Sequence, residues 1–301
     1  MSSRTIGRIY TVAAAFLWGT SFVIVRWGLL YLRAFQFVAL RFLVAFFIMF
    51  LIVSLNKELK SFSRLLLNKY VVFSSILNAG GYIFQFLGQE STLATNASIL
   101  VNTSAIFAAL FAHYFLRERL NKLGAFSISL AIIGVVLLIT GGTLESLFTK
   151  YFIGDIFCLL SGIVWGSYIV ASKKITYEKH DSRALIAVWF LYTSLIATPF
   201  AVLEDPVKLT INAILAVTYL ALFCSVLAFL FWYSGLKILE ATTSSIYFLL
   251  EVLISAVLES IIFGLVLSIV KIIGAIFVIF GIVMTDMSYQ IKNRKEIKKQ
   301  L

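Results

Sequence analysis

Residues 18–26 read WGTSFVIVR, and residues 165–173 read WGSYIVASK. Trp18 aligns with Trp165, Gly19 with Gly166 and Arg26 with Lys173, each pair 147 positions apart. Both stretches are apolar helix closed by a single cation. The same offset of 147 relates Gly7 to Gly154, Gly88 to Gly235, Ala94 to Ala241, Thr95 to Thr242, Ser98 to Ser245 and Gly134 to Gly281. One ungapped shift therefore aligns two halves of the chain. The expected organisation is a first repeat over residues 1–147, a second over 148–288 and a basic tail over 289–301.

Hydrophobic residues make up 61% of the sequence, charged residues 13%, and the mean hydropathy is +1.01. Soluble domains are about 45–50% apolar and about 25% charged. This chain cannot cover itself with polar surface, so lipid must solvate it. Its apolar runs are about 20 residues long, which suits α-helices crossing a hydrocarbon core of about 30 Å. They lack the strict alternation of a β-barrel. The expected class is an all-α membrane protein. The first apolar run continues past signal-peptide length and reads as the first span. Cys158 and Cys224 fall inside apolar runs and read as small core residues rather than disulfide or metal groups.

Spans are expected at roughly 9–28, 34–55, 70–90, 94–116, 122–141, 152–172, 184–203, 210–233, 240–264 and 267–287. The connections, such as NKELKSFSR and LRERLNK, are short and polar. With a cytoplasmic N-terminus, 19 Lys and Arg residues face inside and 4 face outside, with Arg41 and Lys271 within spans. The positive-inside rule then puts both termini in the cytoplasm and requires an even number of helices. Topology thus accounts for the net charge of +11, and nucleic-acid binding is not expected. The tail can also touch anionic lipid.

Five spans per half is an odd number, so the second copy enters the bilayer from the opposite side. The halves would form an inverted-topology repeat, an architecture suited to alternating access around a shared midplane site.

The stretch WGTSFVIVR, the pair Arg41-Phe42, and the run ATNASILVNTSAIFAALFAHYFLRERL with its echo ATTSSIYFLLEVLISAVLESIIFGLVL resemble the drug/metabolite transporter superfamily, EamA-type. The resemblance implies a ten-helix secondary transporter of small metabolites, often amino acids. It places spans 1–4 and 6–9 around a cavity, with spans 5 and 10 at the periphery, in a monomer or homodimer.

Glu251 stands near the middle of the ninth span, where a carboxyl costs at least about 2.5–3.5 kcal/mol. Facing a cavity, it can exchange a proton for a substrate; buried against Ser or Thr, it would be structural. Its repeat partner is Ser104. Glu259 and Arg41 are expected in the outer half, as a gate or a static bridge. Trp18 and Trp165 sit midway along their spans rather than at the interface, which suits cavity walls. Tyr82, Gln85, Tyr168, Trp232, Tyr233 and Tyr247 are candidates to join them, and an aromatic box can hold an apolar or cationic group. Asn78, Asn96 and Asn102 either face the cavity or bond between helices.

No nucleophile elbow or P-loop is present, and the two histidines, His113 and His180, make no metal pair. An enzyme is not expected, nor a cofactor. The expected function is a secondary-active transporter of small molecules in the plasma (inner) membrane. Amino acids or amine-like compounds lead as cargo, with protons as candidate coupling ions through Glu251. A non-coupled facilitator, a channel and a membrane scaffold are the alternatives.

Overall fold

The computed structural model describes residues 3–115, 122–142, 150–177, 181–206, 209–238, 248–264 and 268–300. All regular structure among them is helical. The helices are α1 (Ser3–Gly28), α2 (Ala34–Leu55), α3 (Leu59–Leu66), α4 (Lys69–Gln89), α5 (Ala94–Asn102), α6 (Ser104–Phe115) and α7 (Lys122–Thr140). They continue as α8 (Lys150–Tyr177), α9 (Ser182–Ala201), α10 (Ile211–Tyr219), a π-helical segment (Leu220–Leu227), α11 (Ala228–Leu236), α12 (Leu249–Phe263) and α13 (Ile269–Gln300).

Six helices are long and apolar enough to cross a membrane among the described residues: Thr5–Gly28, Ala34–Leu55, Lys69–Gln89, Tyr151–Ser172, Ser182–Ala201 and Ile211–Gly235. Lys122–Leu137 and Ile269–Gly281 are apolar but shorter. Phe16, Phe47, Leu51, Leu195 and Ile261 stand exposed on the outside, an apolar surface that water would not tolerate over this extent.

Four features depart from the expected organisation. The fourth is not one helix: a turn at Thr103 separates α5 from α6. The eighth contains a π-helical segment, the kind of widened turn that often marks a functional site. The connection after α2 folds into α3, because Phe62 and Leu65 are buried on one face of it; Phe62 meets Phe46 and Phe50. The last helix also runs on through the basic tail. The expected boundary at 147/148 falls outside the described residues.

The packing is reciprocal. α4 lies along α8, and α1 lies along α11; α2 pairs with α9, and α7 with α13. At the closest approaches the contacts exchange partners by 147 positions. A Cβ on Gly19 would meet Glu251 and Ile254, and one on Gly166 would meet Ser104 and Phe107. One on Gly88 would meet Gly154 and Cys158, and one on Gly235 would meet Gly7 and Thr11. One on Gly134 would meet Gly274 and Val278, and one on Gly281 would meet Ser127 and Ala131. These glycines let backbones approach where lipid supplies no hydrophobic drive between helices.

Gly88→Val is therefore expected to be strongly destabilising. Its Cβ would stand 2.4 Å from Cys158 Sγ and 2.7 Å from the Gly154 carbonyl, and overpacking of this kind costs about 1–3 kcal/mol. Gly80→Ala is the comparison, because its Cβ meets only Val164 Cγ1 at 3.4 Å. Melting of the purified protein in detergent should separate the two variants, and equal midpoints would show that the α4–α8 approach is not held this closely.

Candidate functional site

Arg41 projects from α2 and is fully buried. Its Nε donates to Ser225 Oγ at 2.9 Å and its Nη2 to the Cys224 carbonyl at 3.1 Å. Both acceptors lie in the π-helical segment. The same carbonyl accepts Trp18 Nε1 from α1 at 2.9 Å. The guanidinium lies against the rings of Tyr82 and Phe42, with centroids at 4.9 and 5.0 Å.

Aromatic contacts then link the two repeated tryptophans through this group. Tyr82 meets Trp165 edge-on at 5.0 Å, and Trp165 meets Tyr168 at 5.2 Å. On the other side Trp18 meets Trp232 at 6.0 Å and Phe248 at 5.3 Å. Trp18, Trp165 and Trp232 are half-buried, whereas Tyr82 and Tyr168 are buried. The sequence candidates Trp18, Trp165, Tyr82, Tyr168, Trp232 and Arg41 thus form one connected cluster.

Glu251, three residues beyond Phe248, is buried in the first turn of α12. Asn102 Nδ2 donates to Glu251 Oε2 at 3.3 Å and to the Ser98 carbonyl at 2.9 Å. One turn along, Ser98 and Ser255 hydroxyls meet at 2.6 Å. Asn102 is the last residue of α5, so the break at Thr103 falls beside the carboxyl. Gln85 sits one turn beyond Tyr82 on α4 and donates to Gln89 Oε1 at 3.3 Å, and Gln89 donates to the Phe22 carbonyl at 2.8 Å. Asn78 donates to Thr193 Oγ1 at 2.8 Å, a bond between helices. Tyr247 lies outside the described residues.

Glu259 is not joined to Arg41, the pairing its expected depth suggested. It is buried near the C-terminal end of α12 and is ion-paired with Arg26 at the end of α1. It also accepts the free N–H groups of Ala94 and Thr95 at the start of α5, at 2.7 and 2.8 Å. A carboxylate suits these unpaired donors and the positive end of the helix dipole. The Arg26 guanidinium further lies 4.8 Å from the Phe263 ring centroid. The helical period explains the outcome: Glu259 is eight residues from Glu251 and about 80° around the helix from it.

A second carboxylate caps the start of α2. Glu204 accepts the Phe35 and Gln36 N–H groups at 3.3 and 2.9 Å, and Gln36 Nε2 donates to the Asp205 carbonyl at 2.5 Å. Desolvation pushes the Glu204 carboxyl above its usual range, against those two backbone bonds. Sequence reasoning also passed over Asp155, which is buried in α8 and accepts from Thr92 Oγ1 and Asn96 Nδ2. It was visible as the lone acidic residue of the sixth expected span. Among the described residues no cluster of three His, Cys, Asp or Glu could hold a metal.

The sequence matches the EamA-like transporter family twice, over residues 5–140 and again over 152–286. An uncharacterized transporter of Archaeoglobus fulgidus is 32% identical over 263 residues, covering 85% of this chain and 88% of its own. The uncharacterized transporter YyaM of Bacillus subtilis is 26% identical over 277 residues, 88% of each chain. One crystal structure superposes with a TM-score of 0.67 at 18% identity, over 96% of this chain and 98% of its own, which shows a shared fold. With two family matches that together span most of the sequence and a relative at this identity, the protein belongs to the EamA-like transporter family and is an integral membrane transporter rather than an enzyme.

Proposed function

We propose that the protein is a secondary-active carrier working by alternating access. It would have ten transmembrane helices in two inverted repeats, residues 1–147 and 148–288, with a basic tail at 289–301. Both termini would be cytoplasmic and the membrane the plasma (inner) membrane. The cargo is a small amino-acid or amine-like metabolite. Trp18, Trp165, Tyr82, Gln85, Asn102, Tyr168, Trp232, Tyr247 and Glu251 would form its site. Glu251 would carry a coupling proton, and Arg41 and Glu259 would act in coupling and gating.

The observation that carries this reading is the exchange of contacts between halves. Gly19 on Glu251 and Ile254 corresponds to Gly166 on Ser104 and Phe107, at one offset of 147. Two blocks that contact each other reciprocally can swap conformations at similar energy, as alternating access requires. The helix break at Thr103 beside Glu251 adds support, because carriers bind cargo where helices are interrupted. The Arg26–Glu259–α5 lock supports assigning this conformation as closed to the outside. A channel or scaffold would need neither reciprocal halves nor a lock.

Reconstituted vesicles test the reading. Preloaded unlabelled solute should accelerate entry of labelled solute, with saturation. Conductance without saturation would overturn the carrier. Labelling from either side should also place Leu120 inside and Leu267 outside; finding both in one compartment would remove the inverted repeat.

A further inference from the structure

Among the described residues, Arg41 is a buried cation without a counter-charge. Among the described residues no carboxylate lies within ion-pair distance of it. Its Nε and Nη2 bond neutral oxygens of the π-helical segment, and its Nη1 has no hydrogen-bond partner among the described residues. The faces of Phe42, Tyr82 and Phe86, at 4.9 to 5.8 Å, offset part of the charge. They leave Nη1 buried with no polar group to meet it among the described residues. Ionisable residues within membrane segments ordinarily pair with one another or mark a substrate path.

The repeat sharpens the point. Scaffold features recur in both halves: the Trp-Gly pair and the close-approach glycines. The charges do not. The position of Arg41 is Val188 in the second half, and that of Glu251 is Ser104. A residue needed only for packing would be expected in both copies, whereas an asymmetric solute requires its charge partners once. Arg41 shares the Cys224 carbonyl with Trp18, and the next residue, Gly19, packs on Glu251, so the Trp18-Gly19 pair connects the two opposite charges.

Resting on the carrier reading, we propose that Arg41 is the docking group for a carboxylate of the cargo, which is an amino-acid-like zwitterion and not a simple amine. The planar fork of a guanidinium matches the two oxygens of a carboxylate. One unpaired guanidinium neutralises one negative charge, which suits a carboxylate and leaves a phosphate dianion half-compensated. The ammonium group would then turn toward Glu251 and the aromatic walls of Trp18 and Trp232.

The test is thermal stabilisation of the purified full chain by the common L-amino acids, each set beside its decarboxylated amine and its methyl ester. Stabilising compounds should be amino acids, with the matching amine and ester weaker by at least about 10-fold, as loss of a charge-assisted bond predicts. Arg41→Met should lose that preference and, without ligand, melt no lower than the natural protein. Arg41→Lys, which keeps the charge without the fork, should bind less tightly yet still prefer acid to amine, and it carries the test if the methionine variant fails to fold. Equal binding of acid and amine, an Arg41→Met protein that keeps its acid preference, or a panel in which no amino acid binds would each overturn the proposal. Saturable counterflow of an amine with no amino-acid binding would overturn the carboxylate site and leave the carrier standing. Absence of flux for every solute would overturn the carrier itself.

Discussion

Vesicles containing Glu251→Gln are expected to stop accumulating solute in response to a pH gradient. A carrier that moves one proton with each solute can concentrate it about 10-fold per pH unit, since one unit corresponds to about 1.36 kcal/mol. Glutamine fills the same space and can still bond Asn102, which donates to the carboxyl at 3.3 Å. It cannot take up or release a proton. The accumulation ratio should therefore fall to unity whatever exchange rate remains, with the protein still inserted and folded. The choice of Glu251 rests on its place. It is buried at the start of α12, against Gly19 of α1 and beside the interruption of α5 and α6. Asp155, also buried, is held near the start of α8 by Thr92 and Asn96, and Asp155→Asn should leave accumulation in place. Continued pH-driven accumulation by Glu251→Gln would remove it from coupling.

The apolar spans and the doubled Trp-Gly were legible in the sequence because both are properties of composition and spacing. Burial of Arg41, Glu251 and Glu259 was legible too, because each interrupts an apolar run. What escaped was backbone geometry. The run LALFCSVL looks like ordinary helix, and nothing in its side chains announces a π-helical segment at Leu220–Leu227. Cys224 was read as a small core residue. Its useful atom is the carbonyl, which gathers Trp18 and Arg41. The break at Thr103 was hidden for a similar reason: ATNASILVNTSAIF keeps its apolar pattern across the turn. α3 was missed because its polar residues outweigh Phe62 and Leu65 in a connection of that length. Partner choice was the other limit. Depth along two helices put Glu259 near Arg41, but azimuth decides contact, and the helical period turns Glu259 toward Arg26 and α5.

That contact makes the largest conformational prediction. Glu259→Ala should open the outer side. The carboxylate satisfies three partners at once: Arg26 and the N–H groups of Ala94 and Thr95. Removing it leaves two helix-terminal donors and a guanidinium unmatched, and breaking a buried pair from one side costs about 3–5 kcal/mol. In an outward-open form those groups would meet water and lose nothing. The closed form alone is penalised, so even about 3 kcal/mol would shift the closed-to-open ratio more than about 100-fold. A single cysteine at Ser98, buried beneath the lock, provides the readout in a background with Cys158 and Cys224 replaced by alanine. An impermeant thiol reagent added outside should label it slowly with Glu259 intact and rapidly in Glu259→Ala, while net transport falls. Glu204→Ala distinguishes a gate from a simple cap. Glu204 also holds a helix start, through Phe35 and Gln36, but desolvation already opposes its charge, and losing a cap costs only about 0.5–2 kcal/mol. Its effect on labelling should be much the smaller. Equal labelling in the two variants would mean that Glu259 caps α5 and gates nothing.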